Sequence, residues 1–241
     1  MKLTYVRWSM TIIEPGGTYP QGLTLITDPV FRLLGKHQDP GSYTFQQMPR
    51  PDLVFISHTH LDHYAPSVLK QLAPDTPVWM PQDRVHKASR LGLKALRGLK
   101  EWESVEFGGI HFTAVPAKHG GGEIGLVIEA DRNVYFAGDT ALDRDLFQAI
   151  GERWHLDAVL LPIGDLRVLG LPIGHIGPKK AVEALRLLGE PQVVLPTHYS
   201  GMTLRPLVSF GGNPRKLSRA IHKAELGTVV GTTRPLETVE I

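Results

Sequence analysis

The sequence contains no cysteine. That removes disulfides, thiolate metal sites and cysteine nucleophiles together, so any transition-metal site must be built from histidine and carboxylates. Long hydrophobic runs are missing too. No segment approaches the roughly 20 apolar residues of a membrane span, and the opening stretch MKLTYVRWSMTIIEPGG has no apolar run long enough for a signal peptide. A soluble, cytoplasmic protein is the expectation. Charge of one sign is not in excess: 26 Lys and Arg stand against 24 Asp and Glu, a formal charge of +2. The whole-chain balance therefore gives no drive toward a polyanion, and a nucleic-acid partner is not expected. Repeats and low-complexity tracts that would mark a linker are absent. With 241 residues and 42% hydrophobic content, the chain reads as a single domain over 1–241 with a sandwiched core.

What the chain does have is a series of short β-branched or aromatic runs bounded by Gly, Pro or Asp. Strands are predicted at Leu3–Trp8, Gly22–Thr27, Leu53–Ser57, Ile110–Val115, Ile124–Glu129, Val134–Ala137, Asp157–Leu161 and Gln192–Leu195. Many are almost continuously apolar, which implies burial on both faces. Helical patterns lie between them at Pro66–Leu72, Asp83–Leu91, Leu142–Ile150, Pro178–Leu188 and Pro214–Ala224, where Pro178 and Pro214 suit first-turn positions. Strands and helices mixed in this way predict sheets stacked on each other and covered by helices.

There are also 11 histidines, and three of them crowd one hexamer. Directly after the apolar run LVFIS comes His58-Thr59-His60-Leu61-Asp62-His63, followed by Pro66 and a helical pattern. In extended backbone His58 and His60 project to the same side and can reach one ion, and a turn into the helix lets Asp62 and His63 face a neighbouring one. A lone histidine is ordinarily a core or surface residue. Burying three imidazoles and a carboxylate together without a partner ion costs on the order of several kcal/mol. Further ligand-type residues stand where other apolar runs end: His119 after HFTAVPAK, Asp139 after VYFAG and His198 after QVVLPT. His37, His86, His111, His155 and His222 lie outside such motifs and read as surface or strand-face residues. Lys87, Arg90, Lys94, Arg97 and Lys100 recur at helical steps, but Gly92 and Gly98 break that pattern, which favours a solvated surface over a phosphate-binding stripe.

HTHLDH, a lone histidine after a strand, GDT at 138–140 and a late histidine in PTHYS together resemble the metallo-β-lactamase fold superfamily. The wider pattern is similar to the branch containing the ascorbate-6-phosphate lactonases and the N-acyl phosphatidylethanolamine phospholipase D enzymes. The segments that carry this are TDPVF at 27–31, SHTHLDHY at 57–64, VPAKHG at 115–120, YFAGDT at 135–140, LPIG at 161–164, HIGPKKAVEAL at 175–185 and PTHYS at 196–200. The run Gly120-Gly121-Gly122-Glu123 departs from it, being shorter than the usual loop after the third histidine.

The resemblance implies an α+β fold, a four-layer αββα sandwich of two mixed β-sheets flanked by helices. It also implies two divalent metal ions, most naturally zinc, with manganese or iron accepted by the same donors. By position, His58, His60 and His119 would bind the first ion, Asp62, His63 and His198 the second, and Asp139 would bridge them. Asp28 would orient a ligand histidine from behind. Asp62 would also accept a proton during catalysis, and His175, in a segment resembling one that supplies an active-site histidine in the phospholipase enzymes, would serve the leaving group. The implied activity is hydrolysis of an ester, lactone or phosphodiester of a small or lipid-like substrate by a hydroxide shared between the ions. A nucleic-acid-processing phosphodiesterase is the alternative, although the stretch from Asp139 to His198 is too short for the large domain inserted there in one nuclease group. A homo-oligomer is left open.

Overall fold

The computed structural model describes residues 1–17, 22–31, 43–120, 122–169, 171–172, 176–199, 207–232 and 234–241. The first sheet is built from β1 (Lys2–Arg7), β2 (Met10–Glu14), β3 (Leu25–Thr27), β4 (Leu53–Phe55), β5 (Val78–Pro81) and β6 (Leu96–Leu99). The second takes β7 (Ser104–Phe107), β8 (Ile110–Pro116), β9 (Ile124–Glu129), β10 (Asn133–Phe136) and β11 (Ala158–Pro162). A small three-stranded sheet follows from β12 (Leu166–Val168) and β13 (Leu171–Pro172). The second sheet then resumes with β14 (Val193–Thr197), the small one gains β15 (Val208–Phe210), and β16 (Val229–Val230) extends the second. β17 (Thr238–Glu240) returns to the first sheet and pairs Glu240 with Lys2 of β1.

Both large sheets are mixed. In the first, β1, β2 and β3 pair antiparallel and β3 to β6 parallel. In the second, β7 to β10 pair antiparallel, whereas β10, β11, β14 and β16 run parallel. Period-two alternation sends successive side chains to opposite faces, and here both faces are covered. Leu53 and Phe55 of β4 meet Val134 and Phe136 of β10, and Ala158 and Leu160 of β11, in a core between the sheets. Their chain neighbours Tyr135, Ala137, Val159 and Leu161 point the other way, against α2 (Arg144–Arg153), α3 (Pro178–Leu187) and α4 (Pro214–Lys223). On the first sheet, Val54, Ile56, Val78 and Met80 face outward to α1 (Pro66–Leu69) and Tyr64. The predicted two-sheet sandwich with covering helices is what forms.

Caps explain where the helices start. Asp143 accepts the Leu146 N–H at 3.2 Å before α2, and Asn213 accepts the Lys216 N–H at 2.9 Å before α4. Pro178 and Pro214 occupy first-turn positions as predicted. Other boundaries move. The predicted strand Gly22–Thr27 is regular only over Leu25–Thr27, and Leu3–Trp8 ends at Arg7 because Trp8, at φ 44°, turns the chain into β2. The predicted helix Asp83–Leu91 is a 3-10 helix over Gln82–Lys87 followed by turns, and the basic residues beyond it belong to a loop and to edge strand β6. There Lys94 reaches Asp75 at 3.6 Å and Arg97 reaches Glu103 at 2.8 Å, an ordinary solvated surface. Among the described residues, no helix is long and apolar enough to cross a membrane.

Candidate metal centre

After β4 the chain stays extended through His58, and then turns. The His63 and Tyr64 N–H groups both donate to the His60 carbonyl, at 3.1 and 2.9 Å. That turn sends the first pair of histidines and the Asp62-His63 pair to different places. His58, His60 and His119, from the loop after β8, gather as one group, and Asp62, His63, Asp139 and His198 as another. Within each group the candidate ligand atoms all lie within 4.8 Å of one another. Asp139 follows β10 through Gly138, whose φ of 61° suits glycine, and His198 follows β14 at φ 54°, its N–H held by the Trp8 carbonyl at 2.7 Å. All seven predicted ligand residues thus come together at strand ends. His175 lies outside the described residues, as do His37 and Gly121. His86, His111, His155 and His222 are exposed, as their lack of a motif predicts.

In the first group, His60 Nδ1 stands 2.9 Å from His58 Nε2 and 3.2 Å from His119 Nε2. One imidazole lone pair cannot serve two donors equally well, whereas a shared cation satisfies all three nitrogens. Nitrogens bound tetrahedrally at roughly 2.0–2.1 Å from zinc sit about 3.3 Å apart. In the second group, Asp139 Oδ2 is 3.0 Å from His63 Nε2 and 3.2 Å from His198 Nε2, and Asp62 Oδ2 is 3.0 Å from His198 Nε2. The donor set, imidazole and carboxylate with no thiolate, fits divalent zinc, manganese or iron.

The electrostatics follow from burial and neighbours. Burial pushes the His58 imidazole well below its ordinary range, with His63 adding to the effect, and burial also lowers His119. For His63, burial again pushes down, but the Asp139 and Asp28 carboxylates overcome it and leave the ring well above its ordinary value. His198 is raised likewise, burial being outweighed by Asp139 and Asp62. Burial pushes Asp62 up, yet the His198 hydrogen bond and the charge of His63 hold its carboxyl below the usual range.

Behind these residues stands a second layer. Asp28, fully buried at φ 42°, puts Oδ2 2.8 Å from His63 Nδ1 and accepts from the Ser57 N–H and hydroxyl at 2.7 Å each. The Ser57 hydroxyl oxygen lies 3.0 Å from His58 Nδ1. The Nδ1 atoms of His58 and His63, which face away from the clusters, are thereby engaged, which aims Nε2 of each of these two rings inward. Sequence reasoning missed Ser57 and Glu123. Glu123, 2% exposed, accepts the Asp139 N–H at 2.5 Å, and burial reinforced by Asp139 pushes its carboxyl well above the usual range. The signal available for Glu123 was a carboxylate opening the apolar strand IGLVIE with no cation beside it in sequence.

A model of the beta-lactamase superfamily domain matches residues 24–199. The chain belongs to the beta-lactamase superfamily. It is 30% identical over 204 residues to a UPF0173 metal-dependent hydrolase of Methanopyrus kandleri, spanning 79% of this chain and 82% of that one. Membership of that family makes it an enzyme of the coarse class of metal-dependent hydrolases. Among solved structures, an isothiocyanate hydrolase from Delia radicum gut bacteria covers 100% of this chain and 99% of its own, at TM-score 0.77 and 17% identity. CmlA, a diiron beta-hydroxylase from Streptomyces venezuelae, gives a TM-score of 0.74 at 18% identity, with 100% of this chain and 54% of that chain covered. At such identities the likeness is one of fold. A hydrolase and a hydroxylase share it, so the superfamily member's reaction has to be argued from its site.

Proposed function

We propose that the protein is a dinuclear metal-dependent hydrolase acting on an ester, lactone or phosphodiester of a small or lipid-like substrate. His58, His60 and His119 hold one divalent cation, Asp62, His63 and His198 hold a second, and Asp139 lies between them. Zinc is the ion proposed, and manganese or iron would be accepted by the same donors. The observation that carries this reading is the convergence of seven imidazole and carboxylate groups in two adjoining clusters, with His58 and His63 braced from behind by Ser57 and Asp28. Two such cations, when bound, acidify water near neutral pH and polarise the carbonyl or phosphoryl oxygen under attack.

The chain's own groups do the rest. Asp139 fixes the spacing of the two clusters. Asp62, the more exposed carboxylate of the second cluster at 28%, keeps its charge and accepts the proton released in the attack. His175 serves the leaving group, on the resemblance of its segment to the phospholipase branch. Lactone and bis(p-nitrophenyl) phosphate panels with the zinc- or manganese-loaded protein test the reaction class, and inactivity on every member with both metals bound would contradict it.

The raised imidazoles set a pH dependence. The carboxylates beside them strengthen proton binding at His63 and His198 in the metal-free protein, and ligation needs the same lone pairs, so cation and proton compete for these rings. Apparent metal affinity is expected to rise with pH through their titration and level off above it. Zinc titrations at pH 7 in two buffers of different ionisation heat should give observed heats that differ in proportion to the protons released, and identical uncorrected heats in the two buffers would contradict this.

A second reading, a nucleic-acid-processing phosphodiesterase, is favoured by one observation. Between α3 and α4 lies a cavity of about 960 Å³ ringed by Arg167, Lys179, Lys180, Lys216, Arg219 and Lys223, with Asp165 as its acid. No aromatic side chain among these lining residues offers a platform for base stacking, which leaves this reading second. Adding a single-stranded oligoribonucleotide to the same panel decides between them.

A further inference from the structure

Glu123 is a buried carboxyl group whose neighbours lie on both ligand clusters. It stands at the mouth of β9, where the Ile124 N–H donates to the Ser57 carbonyl at 3.1 Å and so locks residue 123 beside the segment that leads to His58. Its Oε1 accepts the Asp139 N–H at 2.5 Å and lies 3.5 Å from His58 Nδ1. Its Oε2 has no hydrogen-bond partner among the described residues. A buried carboxyl with one oxygen unpaired works against stability, and the apolar packing around β9 has no need of it. The adjoining turn is shaped to admit it: a Cβ at Gly138 would run into the Glu123 carboxylate.

We propose that Glu123 is a positioning residue of the metal centre, its Oε1 fixing the backbone from which Asp139 reaches the second cluster while it braces the His58 side of the first. This rests on the dinuclear reading above. The Asp139 N–H is buried, and without an acceptor its peptide unit would turn to find one, carrying Oδ2 away from the His63 and His198 nitrogens that it now faces at 3.0 and 3.2 Å. Because the same oxygen stands next to His58, loss of the acceptor disturbs both clusters at once. Glutamine at 123 keeps an oxygen for the Asp139 N–H. Leucine keeps much of the volume and none of the acceptor.

The test is metal binding by chelator competition, with the visible spectrum of the cobalt-loaded protein, on wild type, Glu123→Gln and Glu123→Leu. Glu123→Leu is expected to bind divalent metal about 10- to 100-fold more weakly and to shift the cobalt bands, with Glu123→Gln close to wild type. Should Glu123→Leu not fold, Glu123→Met removes the acceptor with a more adaptable apolar chain and is expected to weaken binding in the same direction. Wild-type affinity and spectrum in Glu123→Leu, or in Glu123→Met where that stands in for it, would overturn the inference, as would Glu123→Gln binding as weakly as the apolar variant. Wild-type protein that takes up no divalent ion overturns the dinuclear reading and this inference with it. Wild-type protein that takes up two, with Glu123→Leu taking them equally well, overturns this inference alone.

Discussion

Asp139→Ala is expected to lower the hydrolytic rate on the order of a thousand-fold, the loss that follows when several kcal/mol of metal-derived transition-state stabilisation disappear. Asp139 Oδ2 faces both imidazoles of the second cluster at 3.0 and 3.2 Å, nearer to His63 than Asp62 Oδ2 at 3.8 Å, and its backbone and its other oxygen are engaged by Glu123 and Ser9. Removing it takes away a candidate ligand and leaves His63 and His198, their rings stacked at 5.4 Å, with Asp28 and Asp62 as the carboxylates still beside them. His222→Ala, at an exposed position on α4, is expected to stay within about twofold of wild type. Steady-state rates on whichever panel substrate is turned over make the comparison, and equal losses from the two variants would contradict the site assignment.

The largest effect on stability is expected from Phe112→Ala, at about 3–5 kcal/mol. Phe112, 1% exposed on β8, faces the space between the sheets and meets the Trp79 ring edge-on at 5.3 Å. A cavity there strikes the layer that holds the two sheets together, and the strand ends carrying the candidate ligands lie beyond it. Urea denaturation should therefore show the full loss, while metal content below the transition stays at the wild-type value. A loss under about 1 kcal/mol would mean that the sheets do not depend on this inner layer as described.

Legibility in the sequence tracked how local each cause is. Strands β4, β9, β10, β11 and β14 announced themselves because burial on both faces leaves an unbroken apolar run. β6 was hidden, because LRGL alternates over only four residues and its Lys and Arg neighbours fall at helical steps. Gly98 within it lets the strand press against Gln82, which no local pattern reveals. β17 pairs with β1 across almost the whole chain, a partnership that depends on tertiary closure rather than on the residues Thr238–Glu240 themselves. The candidate ligands were legible as a set because HTHLDH concentrates four donors, and Asp28 entered through the resemblance. Glu123 was not, since a glutamate after three glycines reads as loop until the turn at Gly138 brings Asp139 over it.

The central claim is that seven side chains hold two divalent ions. Elemental analysis of the purified protein, with Asp139→Ala and His63→Ala beside it, tests it most directly. The expected result is two equivalents of metal per chain in the wild type and no more than about one in either variant. Metal-free wild-type protein that takes up no zinc, manganese or iron, or variants that retain both equivalents, would contradict it.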